Sequence, residues 1–440
     1  MFPADHPFRI ANFRAYWLSR LAGTIALSAQ GIIIGWQVYG LAREQLHYSI
    51  ERSASLLGLI GLVQFVPLFL LTPLVGLAAD TFDRRWIVRG TTALLMLNAV
   101  MLGALTWAGH LSLPFLFLAA AFVGVARAFA GPAYSALAPN LVPREVLPTA
   151  IAVSTLAWQT GTIAGPSVGG VLYAIHPDIA YASIAGLFVV ALALIFLIGP
   201  VPQPAAQSDR HPLQRILDGF RYVRANRLVL STITLDLFVV LLAGATALLP
   251  IYARDFLTFG GEAFGPGRLG LLAASMGIGA SAASLFFSVR PMRSDVGVKM
   301  LIAVVIFGLG ILVFGTAHLY LPSLAALCVA ISALVVAGAA DMVSVYIRTS
   351  LVQLHTPDAM RGRVSAVSQL TISASNELGE AESGLMASLL GPVGAVVFGG
   401  VGAITITLLW SRLFPELRLA KTFDPPEILE IPPEHGVITP

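Results

Sequence analysis

Arg127, Asp341, Glu377, Glu380 and Glu382 each stand inside a long apolar stretch of this 440-residue sequence. A charge in such a stretch costs at least ~2.5 kcal/mol if it meets lipid, so it ordinarily faces a water-filled cavity or a partner. A carboxylate held away from water can take up a proton and return it when the cavity opens, which is the chemistry proton coupling requires. Glu377 and Glu380, three residues apart, share a helix face, whereas Glu382 points roughly opposite to Glu380. Asp341, Glu377 and Glu380 are therefore expected to couple protons. Glu380 and Glu382 have a structural reading as well, as latches to helix-capping amides or to Arg268. Arg127 either attracts an anionic group on a substrate or neutralises one of the acids.

Arg20 and Asp236 lie about two turns inside their apolar runs and form either an inner gate or a pair of snorkelling side chains. Gln30, Gln37, Gln64, Tyr134, Trp158 and Gln159 offer the hydrogen bonds and aromatic faces of a pocket for amphipathic organic molecules, or else ordinary packing. No phosphate-cradling Gly-x-x-x-x-Gly-Lys-Ser/Thr loop occurs, and no histidines sit at metal-ligand spacing. No catalytic serine or cysteine arrangement is present either, so neither an enzyme nor a cofactor or metal is expected. The single cysteine, Cys328, reads as a small buried hydrophobe.

These side chains must be positioned by helices. Apolar residues make up 57% of the chain and charged ones 11%, less than half the roughly 25% usual for soluble domains. The apolar blocks approach the ~20 residues that cross a bilayer as a helix, and backbone in lipid must satisfy its hydrogen bonds within the segment. The blocks predict an all-α integral membrane protein of 12 transmembrane helices near residues 12–41, 53–79, 86–108, 113–138, 147–175, 179–199, 228–253, 266–289, 298–317, 321–350, 362–390 and 392–412. Placing the N-terminus inside leaves only Arg43, Arg52, Arg254 and Arg268 in outer loops, so both termini are expected in the cytoplasm. The basic balance is thus read as membrane topology rather than as a nucleic-acid surface.

The segment after Gly199 opens with Pro200, Pro202 and Pro204 and continues as a basic amphipathic stretch, His211 to Phe220, suited to the membrane surface. It divides the chain into an N-terminal six-helix bundle (1–199), a cytoplasmic linker (200–227) and a C-terminal six-helix bundle (228–412). A proline- and glutamate-rich cytoplasmic tail (413–440) follows. Sliding one half over the other by 214 residues lays Arg127 on Asp341, Pro143 on Pro357 and Gly165 to Gly170 on Gly379 to Gly384, the trace of pseudo-twofold symmetry.

Two motifs lie between and within these helices. Gly76-Leu77-Ala78-Ala79-Asp80-Thr81-Phe82-Asp83-Arg84-Arg85 joins helices 2 and 3. Its glycine permits close helix approach, and its aspartate at the membrane edge can accept from the arginines or from a helix N-terminus, locking one conformation. In helix 5, Gly161, Gly165, Pro166, Gly169 and Gly170 form a flat face around a ladder-breaking proline, for bending or simply for packing.

In this order within a six-plus-six chain, the two motifs resemble the major facilitator superfamily. Gly76, Asp80, Arg84 and Arg85 match its loop 2–3 signature, which departs at Thr81 and Asp83. The helix-5 face matches that of its proton antiporters. Trp36-Gln37-Val38-Tyr39, Pro132-Ala133, Leu141-Val142-Pro143 and Thr356 to Arg363 extend the likeness to the branch containing the bacterial enterobactin exporter and related efflux proteins. The resemblance implies proton-coupled export of a small organic molecule, a siderophore or an amphipathic drug, by a monomer in the bacterial cell inner membrane. An importer of the same fold, or a non-transporting sensor or scaffold with Arg127 bonded to Asp341 and no cavity, are the alternatives.

Overall fold

The computed structural model describes residues 6–200, 212–290 and 292–424, apart from the side chains of Pro73, residues 76–81, Arg144 and residues 212, 213, 215, 216, 358 and 359. Among the described residues every regular element is helical. The first half holds α1 (Ala11–Gly40), α2 (Ile50–Thr81), α3 (Arg84–Trp107), α4 (Leu113–Leu137), α5 (Leu147–Ile175) and α6 (Pro177–Phe196). A connecting helix α7 (Pro212–Ala225) leads to α8 (Arg227–Leu242), α9 (Leu249–Ile251), α10 (Gly265–Val289), α11 (Val296–Tyr320), α12 (Ser323–Leu354), α13 (Asp358–Leu413) and α14 (Pro415–Leu419).

Among the described residues ten helical stretches are long and apolar enough to cross a membrane. Helix α5 is not among them, because its glycines, serines and threonines dilute its apolar content, although its 29 residues give it the length. At ~1.5 Å per residue the 56 residues of α13 would extend roughly 84 Å, nearly three times the ~30 Å hydrocarbon layer. It is in fact two helices meeting at Gly391, whose φ of 75° a side chain would oppose, and Pro392 then withholds a backbone donor.

The expected continuous helix over 228–253 is broken. Helix α8 stops at Leu242, residues 243–244 are not helical, and the chain resumes through the 3₁₀ turn Ala245–Leu248, α9 and the π turn Tyr252–Phe256. The cause is a backbone approach from α13. A Cβ placed on Gly379 would stand 2.6 Å from the Val240 carbonyl oxygen, and one placed on Gly244 would stand 2.9 Å from the Ser383 hydroxyl. With two glycines facing each other, neither chain has a side chain to hold the other away.

Similar small-residue crossings hold the two halves of the chain together. Gly58 of α2 meets Gly384 of α13, where an added Cβ would be 2.7 Å from the opposing Cα, and Gly270 of α10 lies against the Pro166 carbonyl of α5 at 2.5 Å on the same measure. Without a hydrophobic drive between helices in lipid, such close van der Waals contact is what associates them. On the outside, Leu70, Trp107, Leu285 and Tyr320 are 66%, 80%, 70% and 82% exposed, an apolar surface that water would not tolerate and acyl chains would. Cys328 belongs to that surface and is exposed, contrary to the buried position expected, since in a membrane the outer face is as apolar as the core.

Within α7, Leu217 and Phe220 are exposed, while Val223 is buried. The helix is tethered to the second half: the Tyr222 hydroxyl donates to the His355 carbonyl at 2.6 Å, and Asp218 accepts from Arg363 at 3.3 Å.

Candidate transport site

The sequence-predicted charges gather into two separate clusters. In the first, Arg127 of α4 donates through Nη1 to the Glu377 carboxylate of α13, and through the same nitrogen to Gln64 Oε1 of α2 at 3.2 Å. The pair is asymmetric, because the Glu377 side chain is 2% exposed and that of Arg127 is 38% exposed. Glu377 Oε2 has no partner among the described residues, although it is buried. Glu380 stands alongside, its Cβ lying where a side chain on Gly61 of α2 would collide at 2.7 Å. Gly61 thus admits both carboxylates of one face of α13 to the seam with α2. The chemistry available is an anion-binding guanidinium with two acids competing for it, reachable from the exposed side of Arg127.

In the second cluster Arg348 of α12 donates to Asp236 of α8 at 2.8 Å, with side-chain exposures of 5% and 6%. Arg348 Nε is buried without an acceptor. Asp341, half-buried, lies two turns before Arg348 on the same helix, and feels the charges of both Asp236 and Arg348. The pairings therefore differ from two that the sequence suggested. Arg20 and Asp236 do not form a gate with each other: Arg20 Nη1 donates to the Tyr16 hydroxyl at 2.8 Å and to Ser154 Oγ at 2.9 Å, inside the first half, while Asp236 is taken by Arg348. Arg127 bonds Glu377 rather than its repeat mate Asp341, because α13, not α12, packs beside α2.

Glu382 approaches only its neighbour Ser383, at 3.5 Å, and the Arg268 suggested as a partner for it and Glu380 is instead buried against the carbonyls of Ala253, Phe259 and Gly261. Gln37 is fixed rather than free, donating to Thr106 Oγ1 at 3.3 Å and accepting from the Tyr181 hydroxyl at 2.5 Å. Gln30 is fully buried with both amide atoms unpartnered. Tyr134 packs on Tyr16, with ring centroids 5.8 Å apart, and under Arg20. Trp158 is exposed and Gln159 half-buried on α5.

The surroundings of Gly76 and the side chain of Asp80 lie outside the described residues, but the arginines of their motif do not. Arg84 donates to the Ala136 carbonyl at 3.0 Å, tying α3 to α4. Arg85 forms a two-pronged pair with Asp83, which also caps α3 by accepting from the Arg85 backbone amide at 2.9 Å. The hydrogen bonds from Arg85 hold the Asp83 carboxyl below the usual carboxylate range. On α5 the glycines pack inward: Gly161 faces Thr24, Gly165 faces Ser28 and Gly169 faces Ala29, all on α1, while Gly170 turns to Gly270 of α10. Gly165 and Pro166 are buried in this seam.

Sequence reasoning missed Arg348 as a buried partner, since its place near a helix end read as a membrane-edge charge. It also missed a latch at the far end of the first and seventh apolar runs. There Glu44 accepts from Arg254, and the Tyr39 hydroxyl donates to Asp255. Both runs finish in π turns, Leu41–Gln45 and Tyr252–Phe256, reading Ala42-Arg43-Glu44 and Ala253-Arg254-Asp255. That likeness was the available signal. The latch borders a cavity of about 470 Å³ lined by Trp36, Thr106, Tyr173, Glu262 and Arg268.

The profile of a family described as transmembrane secretion effectors matches residues 4–429. The chain is 27% identical over 421 residues to the enterobactin exporter EntS of Citrobacter koseri, covering 92% of each chain. It is 26% identical over 431 residues to the enterobactin exporter EntS of an Escherichia coli O1:K1 strain, covering 94% of each. Among solved structures it resembles a bacterial homologue of the human lysosomal transporter Spinster, at a TM-score of 0.70 and 16% identity, over 94% of this chain and 98% of that one. A D-xylose–proton symporter matches with a TM-score of 0.70 at 15% identity, over 92% of this chain and 98% of its own.

Proposed function

The chain belongs to the transmembrane secretion effector family, a multi-pass group of membrane transporters rather than enzymes, and from that premise we propose that it exports a small amphipathic organic molecule in exchange for protons. The observation that carries this reading is the Arg127–Glu377 pair. It joins helices of the two halves of the chain and leaves Arg127 partly open, with Glu380 as a second acid beside it. A donor group on the substrate binds the ionised carboxylates beside Arg127, chiefly the unpartnered Glu377 Oε2, and a proton taken up by these acids removes that acceptor. Substrate and proton then exclude each other at one place, which is the requirement for antiport.

Counting α5 and both parts of α13, twelve helices cross the membrane as two six-helix bundles, 1–199 and 228–412, joined by the linker that carries α7. With both termini cytoplasmic, the Gly58–Gly384 and Pro166–Gly270 seams close the outer side, and the two bundles rock about the level of Arg127. From the similarity to enterobactin exporters, the substrate class is a siderophore or a comparable amphipathic compound, moved across a bacterial inner membrane by a monomer.

The test is proton movement in proteoliposomes under an imposed pH gradient, with catecholate siderophores and amphipathic dyes added in turn. Wild-type protein is expected to show compound-evoked proton flux, and Glu377→Gln to lose it. Inward accumulation would make the protein an importer, and no flux from folded protein with any compound would remove the exporter reading.

A further inference from the structure

We infer that Asp236, Arg348 and Asp341 form a second proton-carrying site in which two aspartates share one arginine and one proton. Its role in coupling rests on the antiport reading above, but its existence does not. Arg348 and Asp236 are both more than nine-tenths buried and bonded at 2.8 Å across α12 and α8. A buried guanidinium has five donors, and here the Nε donor finds no acceptor. The acid placed to use that spare capacity is Asp341, on the same helix and within range of the charges of both Arg348 and Asp236. Helical side chains lean toward the helix N-terminus, and a residue seven positions earlier lies on nearly the same face, ~10 Å up the axis.

Charge balance decides how the cluster behaves. With both aspartates ionised, two negative charges face one positive charge, and the Asp236–Arg348 part of the site is shut off from water. A net charge there is costly, whereas one ion pair beside one neutral acid is not. Among the described residues Arg348 and Asp236 are the charged groups acting on Asp341, and Arg348 is the one acting on Asp236, so no further described cation relieves the excess. The cluster therefore binds a proton. Because Arg348 can lean to either acid, the proton resides on whichever aspartate the arginine leaves. Asp341 is half-buried where Asp236 is buried, so the more open acid exchanges the proton with water and the enclosed one holds the arginine.

Arg127 with Glu377 and Glu380 repeats the same ratio of one arginine to two acids. The two clusters share no residue. The Asp236–Arg348 pair lies wholly within the second half and joins no helices across the halves. It persists through a rocking motion that breaks Arg127–Glu377, so it can retain a proton while the first cluster exchanges substrate.

The experiment is infrared difference spectroscopy of the purified full chain in detergent, following the carbonyl band of protonated carboxylic acids across the carboxylate titration range. The wild-type band is expected to contain a titrating component that disappears in Asp341→Asn. It is expected to disappear equally in Asp236→Asn, because Asp341 then takes the arginine and stays ionised. Arg348→Gln should instead yield a second protonated acid. Loss of that component in Asp341→Asn with an unchanged band in Asp236→Asn would overturn the sharing, and a full band in Asp341→Asn would overturn the site. If Arg348→Gln does not fold, the two aspartate variants decide the matter, since each leaves one complete ion pair. Absence of transport in liposomes would count against antiport without touching these spectra.

Discussion

At the scale of single residues, unequal burial determines what each substitution does. Glu377 is 2% exposed and Arg127 38% exposed, so the two ends of one ion pair are not equivalent. Arg127→Ala strands a carboxylate that water cannot reach, and a cost on the order of 3 kcal/mol is expected, reduced to the extent that Glu377 takes a proton. Glu377→Gln leaves a guanidinium that can rehydrate through its open side and keep its bond to Gln64, for a cost of about 1 kcal/mol or less. Thermal unfolding in detergent should therefore show a clearly larger drop for Arg127→Ala than for Glu377→Gln. Equal drops, or the reverse order, would mean that the pair does not hold the two halves together as drawn. The identity of these residues was legible because a charge in an apolar run is conspicuous. Their pairing was not, because a linear repeat aligns Arg127 with Asp341, while the contact that matters depends on which helix crosses α2. The same limit hid Arg348, whose sequence position looked like a membrane edge.

Among the elements, helix boundaries followed closely from apolar run length, and α5 runs over 147–175 as predicted despite its glycines. The break after Leu242 was not legible, because Ala243-Gly244 is unremarkable until Gly379 approaches it from another helix. The start of α3 was readable only in part. Asp83 looked like a departure from a loop signature, and in the structure it caps the helix and grips Arg85. An N-cap of this kind is worth about 0.5–2 kcal/mol. Since Arg85 holds the folded carboxyl below its ordinary value, the stabilisation is fully present above the unfolded value of about 3.9 and is lost as pH falls through the folded one. Asp83→Ala should thus lower the unfolding temperature at neutral pH, and the gap from wild type should close in strong acid. A gap that persists unchanged in acid would show that the cap works through packing rather than charge.

For the whole molecule, the question is what keeps one side of the membrane shut. The small-residue seams at Gly58–Gly384 and Pro166–Gly270 provide close contact but no directional bond, whereas Glu44–Arg254 joins the matching π turns of the two halves and Tyr39, at the end of α1, bonds Asp255 beside it. Glu44 is 66% exposed and Arg254 23% exposed, so the salt bridge contributes little to stability and can open at low cost. That combination suits a latch, which must hold one state and release it in every cycle. If alternating access operates, a covalent bond at this position should arrest it without unfolding the protein. In a Cys328→Ser background, Glu44→Cys with Arg254→Cys is expected to form a disulfide on mild oxidation, abolish compound-evoked proton flux, and recover flux on reduction. Full transport activity with the disulfide in place would mean that these helix ends never separate, and that the two halves do not rock about the Arg127 level.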